Sequence, residues 1–215
     1  MRLGCFGCLF LIIAVLVLVV VALGVVFLST NLLGTPEVRP VSFSKGDGYS
    51  AQQKLYEVVL RQSGRSSRRD PIVITEPEAN AFLARHLDQA GLPLSPLVVR
   101  FANGQLTAQG QTALRNLFKG PPFAQLLPYL SDKRLDQPVW ITVRARIRVE
   151  GGLGAGTSRY GSAEVVDFAL GKQPLGSFLL SVLMGPSGGG LLHWQVPSVV
   201  DDVQIRDGQL VITTR

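Results

Sequence analysis

Residues 9–28 are almost wholly Leu, Ile, Val, Phe and Ala, and no charged residue occurs between Leu3 and Pro36. Twenty residues in a helix extend about 30 Å, the thickness of a bilayer's hydrocarbon core. The β-branched run Val19, Val20, Val21, Val25 and Val26 makes a poor helix in water. Lipid reverses that preference, because there the backbone must satisfy its own hydrogen bonds. A cleaved signal peptide is the main rival reading. Its apolar stretch is shorter and ends in small residues, whereas Val26, Phe27 and Leu28 stand where those belong. The pattern therefore predicts an uncleaved signal anchor over residues 1–30.

Beyond it the pattern breaks. Residues 31–50, with Pro36 and Pro40, read as a linker. Helical spacing then predicts a helix over 51–61 with Ala51, Leu55, Val58 and Val59 on one face. A polar loop follows, and Arg61, Arg65, Arg68 and Arg69 cluster around it. A short strand at 72–74 leads into Thr75-Glu76-Pro77-Glu78, a capping box that starts a second helix. That helix presents Ala79, Phe82, Leu83 and Leu87 on its expected buried side. His86 borders this face without nearby metal-ligand types and reads as structural.

The remainder has the period of strands. Asn103-Gly104 between 98–101 and 105–108 predicts a tight hairpin, and Asp207-Gly208 between 203–206 and 209–213 predicts another. At an offset of 104 the two share Val99/Val203, Gly104/Gly208, Gln105/Gln209 and Leu106/Leu210. We read this as two hairpins converging on one pattern rather than as a duplication. Over 139–150, Val139, Ile141, Val143, Ala145, Ile147 and Val149 alternate with Trp140, Thr142, Arg144, Arg146, Arg148 and Glu150. That is a long strand with one buried and one wet face. Gly151 to Gly156 turns the chain into a partner strand over 159–170, which is expected to bring Glu164 beside Arg144. Residues 175–184 are apolar almost all round but too short to span a bilayer.

Charge adds a direction to this frame. Lys and Arg total 21 against 15 Asp and Glu, and only Arg2 of the basic side chains precedes the linker. A basic domain on a membrane tether is drawn first to anionic headgroups. Arg2 and the amino terminus roughly balance Arg39 and Lys45 across the anchor, so the positive-inside rule gives little help. A short tail ahead of a first hydrophobic segment stays inside, which places the domain extracytoplasmically on the cytoplasmic membrane. Cys5 and Cys8 lie at the head of the anchor and read as small residues at a helix end, with reversible acylation the next reading.

Catalytic motifs are weak. Gly185-Pro186-Ser187-Gly188-Gly189 fits G-x-S-x-G, but His193 precedes Asp201 and Asp202, and the strand–turn–helix context is missing. Gly152, Gly154 and Gly156 lead into a strand rather than a phosphate-cradling helix. The two histidines are 107 positions apart, and no carboxylate pair stands out for acid–base work. No catalytic residue, metal site or cofactor is expected. The arginines lack interleaved aromatics, which disfavours nucleic acid.

Ile72-Val-Ile-Thr-Glu-Pro-Glu-Ala-Asn-Ala-Phe-Leu83, the V-x-F-x-N-G hairpin and Asp167-Phe-Ala-Leu-Gly-Lys-Gln-Pro-Leu175, in this order behind an anchor, resemble bacterial membrane-anchored proteins of the YpmS-like type. They are also similar to extracytoplasmic proteins related to the tubular lipid-binding (TULIP-like) superfamily. The resemblance spans residues 51–215 and implies an α+β domain with a long curved antiparallel sheet wrapped around a helix. It also implies an apolar groove for acyl chains, and no catalytic motif. The expected groove residues are Phe82, Leu83, Val143, Ile147, Phe168 and Leu179. Expected anionic-headgroup contacts are Arg65, Arg68, Arg69, Arg144, Arg146 and Arg148. Membrane lipid is then the partner, and a non-catalytic lipid-handling domain the function. The alternative is an envelope scaffold or regulatory subunit that binds another membrane or envelope protein.

Overall fold

A computed structural model describes residues 33–86, 94–117, 132–151, 159–176 and 192–215. The expected anchor, Leu87, the glycine turn after Gly151, Leu179 with most of the apolar 175–184 segment, and Ser187 lie outside the described residues. Among the described residues no helix is long and apolar enough to cross a membrane.

Helix α1, Lys45–Gln62, begins six residues ahead of the expected start, so the linker ends at Ser44. The cause is a capping box: the Ser44 hydroxyl accepts from the Asp47 N–H at 3.3 Å, and the Asp47 carboxylate accepts from the Ser44 N–H at 2.7 Å. Gly46 and Gly48 hid this turn from propensity reasoning. Gly48 is there for approach: a Cβ at that position would lie 3.4 Å from the Ala81 carbonyl oxygen. Ala51 and Val58 are buried as expected, and Leu55 is partly buried, but Val59 is 57% exposed. Val59 is turned about 80° from Ala51 around the helix, off the covered stripe.

Strand β1, Ile72–Thr75, runs directly into helix α2, Glu76–His86. The predicted cap is present, with the Thr75 N–H donating to Glu78 Oε2 at 2.9 Å. The buried side of α2 is not the expected one. Glu78, Asn80 and Ala81 are enclosed, while Ala79, Phe82 and Leu83 are only half-buried. Polar groups take the covered side because each has a partner there. Asn80 donates to the Val99 carbonyl at 2.7 Å and accepts from the Val99 N–H at 2.8 Å. Glu76 Oε1 accepts from the Phe101 N–H at 2.7 Å.

Strands β2, Leu97–Ala102, and β3, Gln105–Ala113, form the first predicted hairpin. Asn103 and Gly104 have φ of 52° and 72°, the geometry of a tight turn that follows strand twist. Two short helices, α3 at Leu114–Leu117 and α4 at Asp132–Leu135, precede β4, Pro138–Gly151. Next come β5, Arg159–Leu170, β6, Gln173–Leu175, and β7, His193–Val196. The second predicted hairpin, β8 at Val200–Arg206 and β9 at Gln209–Thr214, closes the chain.

All strand pairings among the described residues are antiparallel. The fold is α+β, with a large antiparallel sheet and few helices. Among the described residues the strands divide into two sheets, ordered β2-β3-β4-β5-β6 with β7 also on β5, and β1-β9-β8. In β4 the alternation is as expected: Val139 and Ala145 are buried, while Arg144, Arg146 and Arg148 are exposed. Its partner β5 departs from the expectation, because a bulge falls between the Arg144–Asp167 and Ala145–Val165 pairs. Val166 is the extra residue and is 38% exposed. The phase of β5 flips there, so Phe168 and Leu170 face inward on one side of the bulge, and Gly161 and Arg159 on the other. On the hairpin side of the bulge the register set by the Gly151–Arg159 pair puts Glu164 opposite Arg146 rather than Arg144. Glu164 pairs with Arg148 at 3.0 Å, while Arg144 pairs with Asp167 at 2.8 Å.

Candidate functional site

A solvent-open cleft of about 380 Å³ lies where α1 meets both sheets. Helix α1 supplies Leu55, Val58 and Val59; β4 supplies Ile147 and Val149; β7 supplies Trp194 and Val196. Pro197, Val200 and Val203 form another wall, and Leu210 and Ile212 of β9 complete it. No lining side chain is charged. The base is core: Val58, Val196, Val200 and Ile212 belong to one buried cluster with Ile72 and Ile74. The mouth is formed by residues that the fold leaves in water, with Val59 57% and Trp194 37% exposed.

The Trp194 ring has its place because of a glycine. Val149, Gly161 and Trp194 share one row across β4, β5 and β7. Any Cβ on Gly161 would fall inside the Trp194 indole, so only glycine lets the ring lie flat over β5 and toward the cleft. One row along, buried Arg159 joins the two sheets behind the cleft. It donates to the carbonyls of Val200 and Asp201 at 2.8 and 2.9 Å and pairs with the Asp201 carboxylate at 3.3 Å.

The expected groove residues do not converge. Ile147 lines the cleft. Val143 and Phe168 belong instead to a separate core with Val139 and Leu170, and Phe168 is 1% exposed. It is sealed because the bulge turns Phe168 to the packed side of the six-stranded sheet. Phe82 stacks on His86 with centroids 4.2 Å apart, and His86 Nδ1 lies 2.8 Å from the Phe82 carbonyl. Phe82 and Leu83 thus sit on α2 away from the cleft lining. Sequence reasoning missed Trp194, Val203 and Leu210. Val203 and Leu210 lie in the predicted second hairpin, whose facing toward α1 no local signal fixes, and Trp194 lies in a four-residue strand too short to read.

The arginines also separate. Arg61 is buried and structural: it bonds to Glu57 at 3.1 Å, to the Asp70 carbonyl at 2.7 Å and to Thr214 Oγ1 at 2.6 Å. Arg65, Arg68 and Arg69 are exposed in the loop after α1. Arg144 and Arg148 spend their charge on Asp167 and Glu164, and Arg146 has no ion-pair partner among the described residues.

Two carboxylates have displaced acidities. Burial pushes the Glu78 carboxyl up, but hydrogen bonds from Lys54, Ser50 and the Thr75 N–H outweigh it and hold its pKa below the ordinary value. Hydrogen bonds from Ser66 and Arg61 lower that of Glu57. Both tie α1 to its surroundings, and neither lines the apolar cleft. Among the described residues no group of three or more His, Cys, Asp or Glu side chains gathers to hold a metal. Comparison with protein-family models, curated proteins and solved structures finds no match for this chain.

Proposed function

We propose that this chain is a membrane-tethered, non-catalytic lipid-handling protein whose domain takes an acyl chain into the cleft between α1, β4, β7 and β9. The observation that carries this reading is the cleft itself, about 380 Å³ with every lining residue apolar. Ligand sites fall in the same size range and combine apolar walls with a few polar groups. A site with no charge in its walls suits a ligand that brings none of its own to that part. Each methylene removed from water contributes about 0.8 kcal/mol, so eight contribute about 6 kcal/mol before the cost of ordering the chain. The 9–28 segment supplies the tether. The resemblance of the sequence to YpmS-like and tubular lipid-binding proteins points the same way.

Native mass spectrometry of the full chain, released from membranes in mild detergent, tests this directly. Adducts that dissociate as fatty acid or phospholipid are expected. Val59→Glu, at the exposed rim, is expected to weaken dodecanoate binding about tenfold while leaving the thermal midpoint nearly unchanged. A clean apo mass that persists after incubation with lipid would sink the acyl-binding reading. It would favour the scaffold alternative, for which exposed Tyr160, on the face of β5 opposite Gly161, offers a protein-binding position.

A further inference from the structure

Among the described residues, the large exposed hydrophobics concentrate at one end of the chain. Phe43, Tyr49, Tyr56 and Val59 are 48%, 56%, 56% and 57% exposed. Tyr49, Tyr56 and Val59 fall on one side of α1, since steps of seven and three residues keep them within about 80° around the helix. Phe43 lies just ahead of the cap. Arg85 stands 4.7 Å from the Tyr49 ring centroid, and Lys45 lines the same hollow beside Phe43 and Tyr49. At the other end of the helix come exposed Arg65, Arg68 and Arg69. The result is an aromatic stripe with cations at both ends.

The chain's own course says what covers that stripe. Arg100 holds the Arg39 carbonyl at 3.3 Å and Gln109 holds the Glu37 carbonyl at 3.5 Å. The strap that leads into α1 is therefore fixed to the six-stranded sheet four residues before Phe43. From Leu28, the last residue of the apolar segment, to the pinned Glu37 is nine residues, a reach of at most about 30 Å. The start of α1 cannot stray far from the end of a membrane span. Tyr and Phe beside Lys and Arg are the side chains that settle at the headgroup boundary, with rings in the apolar side and charges in the wet one. The rival basic row on β4 is largely neutralised by Asp167 and Glu164.

We infer that the exposed side of α1 is the membrane-docking face of the domain, lying flat in the headgroup layer of an anionic bilayer. Tyr49 and Tyr56 are sunk at the interface, with Lys45 and Arg85 at one end of the helix and Arg65, Arg68 and Arg69 at the other. Val59 belongs to both this stripe and the cleft mouth, so docking sets the cleft's opening against the lipid it is to take up. The inference rests on the tethered, lipid-handling reading and adds the surface through which it works.

The test uses the full chain with Cys5 and Cys8 changed to Ser, in liposomes of phosphatidylcholine and phosphatidylglycerol. A spin label is placed at Tyr56→Cys or, as a control, at Tyr160→Cys on the six-stranded sheet. The label at 56 is expected to collide with a water-soluble nickel chelate at least threefold less often than the label at 160, and more often with oxygen. Separately, Tyr49→Ser with Tyr56→Ser is expected to slow transfer of fatty acid from vesicles about tenfold while leaving affinity for monomeric dodecanoate unchanged. Equal water access at the two labels, or protection at 56 that grows with protein density, would overturn the inference; the latter points to a second copy of the chain. An unchanged transfer rate does the same. A chain washed from the vesicles by high salt overturns the tether as well, whereas exposed labels on a retained chain overturn the docking face alone.

Discussion

At the scale of single residues, two positions govern measurable properties. Glu78 is enclosed between the helices and receives Lys54 Nζ at 2.7 and 2.8 Å, the Ser50 hydroxyl and the Thr75 N–H. Its folded pKa is lowered, so by linkage it stabilises the fold fully above its unfolded value of about 4.3. That stability is lost as pH falls through the lower, folded value. Glu78→Gln is expected to cost about 1–2 kcal/mol at neutral pH, discounted because Lys54 stays partly in water. It should also flatten the acid limb of a urea-unfolding series below about pH 4.5. The limb should not vanish, since Glu57 is shifted the same way. A variant with the wild-type acid limb would show that Glu78 is not the group that titrates. Gly161 is the second case. Gly161→Ala must displace the Trp194 ring, at about 1–3 kcal/mol for overpacking. The expected signature is a red shift of tryptophan emission and weaker binding of apolar ligands. Trp140, the other tryptophan, provides the constant background.

At the scale of elements, α2 works as a false strand. β2 is an outer strand of the six-stranded sheet, and the outward-facing Val99 N–H, Val99 carbonyl and Phe101 N–H are taken by Asn80 and Glu76. The Phe101 carbonyl accepts from the Gly208 N–H at 2.8 Å, and Gly208 in turn accepts from the Glu76 N–H at 3.0 Å. The edge is closed without a strand, which removes a template for edge-to-edge association. Asn80→Leu leaves the two Val99 groups unpaired and should cost about 2–4 kcal/mol, with light-scattering growth in chemically destabilised samples as a second readout. Much at this scale was legible in the sequence. The Asn103-Gly104 and Asp207-Gly208 hairpins, the strict alternation of β4 and the Thr75 capping box all depend on neighbours within a few positions. The tips of the two hairpins even meet, with the Asn103 N–H donating to Asp207 Oδ1 at 2.9 Å. What was not legible depends on distant partners. The bulge at Val166 is invisible in a run where Val165 and Val166 are equally apolar, and it sets Asp167 opposite Arg144 and turns Phe168 to the side of Val143. The polar buried side of α2 makes sense only once β2 lies beside it. The cleft escaped because its walls come from α1, β4, β7 and the final hairpin.

At the scale of the whole molecule, the three-stranded sheet is the part most dependent on long-range closure. Its central strand β9 lies between β1 and β8, so residues 72–75 wait for the last residues of the chain. Arg61 reaches Thr214, and Gln62 bonds the Ser198 hydroxyl and the Val199 N–H, tying α1 to the same late segment. The cleft lies on this seam, with walls from α1 and from both sheets. A ligand in it therefore bridges parts that otherwise meet through Arg159, the Glu76–Gly208–Phe101 links and the core beneath. Linkage fixes the size of the effect: a ligand at one hundred times its Kd stabilises the protein that binds it by about 2.7 kcal/mol. Dodecanoate at that level is expected to slow amide exchange roughly a hundredfold in β1 and β9, whose opening separates the cleft walls. Strands β2 and β3, which contribute nothing to the cleft, should slow only to the extent that they open in global unfolding. Uniform slowing in every strand would mean that the two sheets open as one unit, while slowing confined to β2 and β3 would place the ligand elsewhere. Protection concentrated in β1, β8 and β9 is the outcome that the position of the cleft on the seam requires.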